Sequence, residues 1–186
     1  MTRQPVLIVF VKRVVAGRAK TRLGRDAGMT RAAWWQRHQT ARLLRRLRDP
    51  RWQIVLAVTP DGAVNAGVWP MDLPRIPQGT GDLGRRMTRA IAATGPGKTL
   101  LIGSDVPGIT RAHVAHAFAA LGPARSVLGP SEDGGYWSIG YRNGARARAA
   151  DLKGVRWSTR HALADSRACM PGPVALAATL ADVDHI

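Results

Sequence analysis

Val6 to Val11, VLIVFV, is an uninterrupted and largely β-branched apolar run that is too short for an independent helix. Such a run is the pattern of a strand covered on both faces, so helices must lie above and below it. It reads as the central parallel strand of an α/β sheet. Downstream, Thr30 is placed to cap a helix whose apolar positions include Ala33, Trp34, Ala41, Leu44 and Leu47. Ile54 to Val58 is a second buried strand, and Pro60 to Pro77 reads as loop. Leu83 to Ala93 is a helix, Thr99 to Ile102 a strand and Thr110 to Leu121 a helix. Ser126 to Leu128 and Tyr136 to Tyr141 read as two further strands bracketing Gly129 to Gly135. Ser158 is expected to cap a short helix running to about Ala168, and Val174 to Leu180 is a late strand or helix. Strands alternating with helices give a mostly parallel sheet, and ligands of such sheets bind at the carboxyl ends of the strands.

A chain of 186 residues, 45% of them hydrophobic, fits one domain spanning residues 1–186 with a substantial core. No apolar stretch approaches the roughly 20 residues that a membrane-spanning helix needs. The formal net charge of +16 invites a nucleic-acid reading. Lysine, however, stands only at positions 12, 20, 98 and 153, and the remaining basic residues are arginines in an alanine-rich chain. That joint bias reflects coding composition as readily as ligand choice, and phosphate-bearing small molecules are expected as partners ahead of nucleic acid. The single Cys169 excludes an internal disulfide, and Met1 leads into the first strand without a secretory leader, so the expected location is cytoplasmic. His38, His113, His116, His161 and His185 lack the spacing of a zinc site. The tryptophans are expected in the core or as pocket walls.

Two nucleotide-like patterns fail on context. Gly79-Thr-Gly81-Asp-Leu-Gly84 matches G-x-G-x-x-G, but Pro74 to Gln78 is not a clear buried strand. Gly95-Pro-Gly97-Lys98-Thr99 precedes a strand, whereas a phosphate-binding P-loop follows one, so it reads as a tight turn. More informative is the stretch Lys12-Arg13 through Gly17, Lys20 and Arg22, which puts cations and a flexible glycine at the mouth of the central strand. Such a loop can wrap a triphosphate. Asp105 follows a buried strand, a natural position for a hard cation such as Mg²⁺, which takes one or two carboxylates plus phosphate oxygens. Glu132-Asp133-Gly134-Gly135-Tyr136 forms a second acidic turn at a strand end, and Asp182 and Asp184 alternate so that both would point one way on an extended segment. A hairpin turn and a solvated tail remain the plain alternatives for these two.

Taken in order, VFVKRVVAGRAKTRL (9 to 23), QGTGDLGRRM (78 to 87), LLIGSDVPGIT (100 to 110), VLGPSEDGGYWSIGY (127 to 141), VRWST (155 to 159) and DVD (182 to 184) resemble the DUF2064 branch of the GT-A-like nucleotide-diphospho-sugar transferases. That branch is akin to 2-phospholactate guanylyltransferase and the molybdenum-cofactor guanylyltransferases. The resemblance implies a single-domain, GT-A-like (Rossmann-like) three-layer α/β fold. It also implies a nucleotide held by Lys12, Arg13, Gly17, Lys20 and Arg22 together with Gly79, Gly81, Asp82 and Leu83. Asp105 would be the counterpart of the superfamily's metal-binding aspartate, with Asp182 and Asp184 completing a shell for Mg²⁺ or Mn²⁺. The chain departs from the pattern at Val14, where a proline is expected after Lys-Arg, and it stops at Ile186, just past DVD.

The functional expectation is a metal-dependent transferase that moves a nucleotidyl group from a nucleoside triphosphate to a small phosphate-bearing acceptor. Lys20, Arg22, Asp105 and Asp133 would be catalytic, and Glu132, Asp133, Gly134, Gly135 and Tyr136 would bind the acceptor. Glycosyl transfer from a nucleotide sugar is the alternative enzyme class. A non-catalytic nucleotide- or nucleic-acid-binding module would leave the carboxylate clusters unexplained. Oligomeric state is not readable from the chain.

Overall fold

The computed structural model describes residues 3–13, 29–106 and 108–180. Seven strands form one sheet in the order β3-β2-β1-β4-β6-β5-β7. They are β1 (Val6–Lys12), β2 (Gln53–Thr59), β3 (Arg75–Pro77), β4 (Thr99–Gly103), β5 (Ser126–Pro130), β6 (Tyr136–Tyr141) and β7 (Val174–Leu176). Only β6 runs against the others, pairing antiparallel with both β4 and β5. The described helices are α1 (Met29–Leu47), α2 (Leu83–Ala93), α3 (Arg111–Ala120) and α4 (Ala162–Cys169). Among the described residues no helix is long and apolar enough to cross a membrane.

β1 is central because its apolar residues alternate between two cores. Leu7, Val9 and Val11 enter the core built with Leu43, Leu44 and Leu47 of α1 and Val114, Ala117 and Phe118 of α3. Val6 and Ile8 enter the other, built with Met87, Ala90 and Ile91 of α2, Ala162 of α4 and Leu152. The sheet is therefore the middle of three layers. β2 on one flank and β4 on the other bond to β1 in parallel along its length. Two helix starts follow from local chemistry. Asp82 caps α2 by accepting from the Arg85 N–H, and Thr110 and the His113 ring cap α3 reciprocally.

Two expectations are corrected. The 60–77 segment is not all loop. It holds a single 3₁₀ turn (Asp61–Ala63) and the edge strand β3, which Pro74 and Pro77 concealed and which pairs only with β2. Ser158 does not start α4. Its φ is +58°, a turn conformation, and the helix begins after His161.

A bulge at Gly129/Pro130 changes what β6 presents. Ser138 pairs with Gly129 and Tyr136 with Pro130, so Trp137 is the extra residue. As a result Trp137 lies in the α1/α3 core while Tyr136 packs against the opposite one. The Trp137 indole donates to Ala178 O at 2.9 Å, and its ring occupies the space a side chain at Gly129 would need.

Gly140 of β6 sits at a close approach of β4 and β5. A Cβ there would lie 2.9 Å from both Leu100 Cδ1 and Val127 Cγ1, and 3.0 Å from the Thr99 carbonyl. Gly140→Ala is expected to cost about 1–3 kcal/mol through overpacking, seen as a lower urea midpoint at unchanged m. An unchanged midpoint would show that β4 and β5 part freely.

Candidate functional site

Because β1, β2, β3, β4 and β5 run the same way, their carboxyl ends share one edge, joined there by the turn that enters β6. Gln78, the residue after β3, ties this edge together. Its side chain is 2% exposed, and its Nε2 donates to Val11 O at 3.2 Å and Ala57 O at 2.8 Å. Its backbone N–H reaches Val58 O at 3.0 Å. Arg86 of α2 donates to Gln78 Oε1, which orients the amide so that its NH₂ meets the strand carbonyls. The Nε of Arg86 is itself buried with no partner among the described residues.

The glycine loop is held onto this buckle. Asp61 accepts from Gly79 N–H at 3.0 Å, and Arg89 donates to the carbonyls of Gln78 and Thr80. Gly79 and Gly81 have φ of +74° and +107°, a region open to glycine at little cost. Gly84 lies where a Cβ would come 2.8 Å from the Trp157 ring and 3.0 Å from Leu152 Cβ. The motif follows a strand and opens a helix, although that strand has only three residues and, as the sequence suggests, none of them is buried. Asp82 is engaged as the α2 cap, and the side chain of Leu83 is 38% exposed beside it.

Lys12 and Arg13 end β1 with exposed side chains that line a cleft of about 690 Å³ with Trp34, Arg37 and Trp69. Asp105, past the end of β4, lines a smaller space of about 280 Å³ with Ser104, Gln39 and Arg42. The acidic turn lies beyond it on the same edge. Gly134 N–H donates to Ser131 O and Ser131 N–H to Gly135 O, while Asp133 Oδ1 accepts from Gly135 N–H at 2.9 Å. At Gly134 (φ +84°) the Arg160 backbone fills the place of a side chain, and Leu163 N–H reaches Gly134 O at 3.0 Å. The hairpin role expected of Asp-Gly is therefore real, with Glu132 left exposed. Tyr136 accepts from Ser166 Oγ at 3.3 Å, and burial pushes its phenol up to about 12, so it stays protonated.

The carboxylates divide sharply. Asp49, Asp72 and Asp165 pair with Arg51, Arg48 and Arg156, and these guanidiniums hold Asp49 and Asp165 at about 2. Asp61, Asp82, Asp133 and Asp151 accept backbone N–H groups. Asp105 and Glu132 alone among the described carboxylates have no such partner, and both stand on the carboxyl edge. The described residues contain no cluster of three metal-ligating side chains. Gly17, Lys20, Arg22, Asp182 and Asp184 lie outside the described residues. Gln78, the first residue of QGTGDLGRRM, is the position on this edge that the sequence does not announce.

The sheet order, three layers and loops on the carboxyl edge define an α/β fold of the GT-A-like class. Residues 41–159 match the family model described as an uncharacterized protein conserved in bacteria, DUF2064, and the chain belongs to that family. Among solved structures it is similar to a protein of Desulfovibrio desulfuricans G20, provisionally named a nucleotide-diphospho-sugar transferase. The two are 27% identical, with a TM-score of 0.81 over 99% of this chain and 83% of that one. A Mycobacterium sp. strain JC1 homologue of Mycobacterium tuberculosis Rv0371c is 17% identical, with TM-score 0.56 over 98% of this chain and 89% of its own. Rv0371c of M. tuberculosis H37Rv in complex with manganese is 15% identical, with TM-score 0.55, 98% of this chain and 94% of that one covered. No curated protein matches the chain.

Replacing Gln78 by leucine removes both donors to the strand carbonyls and leaves Arg86 without its acceptor. Gln78→Leu is expected to cost about 1–3 kcal/mol and to speed amide exchange at Gly79 and Gly81. Wild-type exchange at those amides would show that the buckle does not hold the loop.

Proposed function

We propose that the chain is a divalent-metal-dependent transferase that uses a nucleotide, and that it catalyses nucleotidyl transfer. An acceptor oxyanion attacks the α-phosphorus of a nucleoside triphosphate, the bond from that phosphorus to the bridging oxygen breaks, and pyrophosphate leaves. The observation that carries the reading is the pair of unpartnered carboxylates, Asp105 and Glu132, on the edge where Gln78 clamps the glycine loop. In this reading the nucleotide lies along Lys12, Arg13, Gly79, Gly81 and Leu83, with Asp82 setting the start of α2. Gly17 lets the following loop approach the phosphates, and Lys20 and Arg22 balance the charge that develops on the leaving pyrophosphate. Arg86, with its free Nε, adds a donor on the same side.

The donor set fits a hard cation. Asp105 is an oxygen ligand without a competing partner, and Asp182 and Asp184 would add two more, with phosphate oxygens filling the remainder. Mg²⁺ or Mn²⁺ held there would neutralise phosphate charge and polarise the reacting phosphorus. The manganese of the mycobacterial structure is in keeping with a divalent ion on this fold. The acceptor is assigned to Glu132, Asp133, Gly134, Gly135 and Tyr136. There Asp133 orients the nucleophilic oxygen, and the tyrosine, its hydroxyl tied to Ser166, shapes the wall. We read residues 1–186 as one catalytic domain acting in the cytoplasm.

Glycosyl transfer is the second reading, favoured by the name of the Desulfovibrio relative and its 27% identity over 99% of this chain. The two are separated by thermal shift with Mn²⁺ and each nucleoside triphosphate or nucleotide sugar. At a hundred times Kd a ligand stabilises by about 2.7 kcal/mol, a readily measured rise in Tm. Nucleotidyl transfer requires the larger rise with a triphosphate, and pyrophosphate released when acceptor is added. A larger rise with a nucleotide sugar, and release of nucleoside diphosphate, would transfer the assignment to sugar chemistry.

Asp133→Asn tests the acceptor side cleanly, because the amide oxygen can still accept from Gly135 N–H and keep the turn. Turnover is expected to fall while nucleotide affinity by calorimetry stays within about threefold, roughly 0.7 kcal/mol. Collapse of affinity would assign Asp133 to the nucleotide or its metal. Unchanged turnover and affinity would leave it a turn residue only.

A further inference from the structure

We propose that the opposite, amino edge of the sheet carries a second anion site that takes a small molecule with two or three linked phosphates. The inference is independent of the transferase reading, because β6 separates the two edges. β5 begins and β6 ends here, and Arg142 N–H donates to Arg125 O at 2.9 Å, so these two arginines flank the open end of the hairpin. The 3₁₀ turns Gly144–Arg146 and Ala149–Leu152 bring Arg146 and Arg148 beside them. The four arginines line one cavity of about 510 Å³.

All four are exposed, and none forms an ion pair among the described residues. The Arg142 guanidinium makes only a long bond to Gly122 O at 3.4 Å. The one carboxylate in the cavity, Asp151, turns an oxygen to the Arg148 backbone N–H at 3.0 Å rather than to a guanidinium. The floor holds one further donor. Tyr141 is 2% exposed, and its buried hydroxyl makes no well-directed hydrogen bond among the described residues, although the Asp151 carboxylate is close enough to accept from it. Burial, reinforced by the nearby Asp151 charge, pushes the Tyr141 phenol far up, so it is a fixed O–H donor.

Four guanidiniums against one carboxylate leave a net charge of three to be met. A single phosphate brings about 1.5 to 2 negative charges and a linked pair or triplet brings more. Planar guanidiniums bind such oxygens in forked fashion, and the tyrosine hydroxyl supplies a neutral donor at the base. A concave site with a buried hydroxyl suits a compact polyphosphate better than the extended backbone of a nucleic acid.

The chain's two tyrosines, Tyr136 and Tyr141, sit at opposite ends of β6 and give each edge its own reporter. With 3-fluorotyrosine in both positions, and Tyr136→Phe to assign the signals, ¹⁹F NMR is followed while tripolyphosphate, pyrophosphate, ATP or a single-stranded oligonucleotide is added without divalent cation. The Tyr141 resonance is expected to shift saturably with tripolyphosphate. The pair Arg146→Ala and Arg148→Ala should weaken that response by about tenfold or more, and Arg125→Gln with Arg142→Gln should do the same from the strand side. Saturation by tripolyphosphate as well as by ATP shows that bare phosphates suffice, whereas a response to ATP alone makes the ligand a nucleotide; both uphold the site. A Tyr141 signal that stays put, that moves equally in the arginine variants, or that answers only to the oligonucleotide overturns it.

Discussion

The structure rests on the bonding of β1 along both of its flanks. A strand buried on two faces can leave no backbone N–H or C=O unpaired, because each costs as much as a lost hydrogen bond. β2 and β4 therefore follow β1 in parallel register, Val6 facing both Gln53 and Thr99. Parallel register forces the strand ends to coincide. Polar chemistry that the interior cannot hold collects where the ladders stop, and Gln78, Asp105 and the 131–135 turn all stand there. The edge is thus a by-product of satisfying the core, and Gln78 closes it by giving carbonyls near the ends of β1 and β2 a side-chain donor.

Much of the layout was legible because local signals agreed with tertiary packing. α2 was read with its bounds, since Asp82 caps it and Met87, Ala90 and Ile91 fall on one face. β6 was likewise readable as Tyr136 to Tyr141. The failures were places where tertiary context outweighed local pattern. β3 is three residues bounded by proline and pairs on one side only, so no apolar run announces it. The facing of Trp137 depends on a bulge, which a strict alternation hides. At the site, Asp105 and the acidic turn were found because carboxylates beside strand ends are visible in the chain. That Gln78 is the buckle depended on Val11 and Ala57, which lie 67 and 21 positions away in the chain.

Charge economy explains the contrast between the two edges. With 28 basic and 12 acidic residues, most carboxylates are drawn into holding arginines or turns. The Arg156–Asp165 pair, 2.9 Å apart, joins the VRWST segment to α4, and Trp157 from that segment packs against Gly84 at the start of α2. The same segment continues to Arg160, which closes over Gly134. One short stretch thereby braces both the glycine loop and the acidic turn, although it supplies no group to either.

The reversal of β6 also has a temporal consequence. β5 and β6 are joined by a tight turn, so their pairing closes a short loop and forms on the microsecond scale of hairpins. The contact of Val6 with Thr99 must close a far longer loop at greater entropic cost. During synthesis β1 emerges first yet waits for β4 before its second flank is covered.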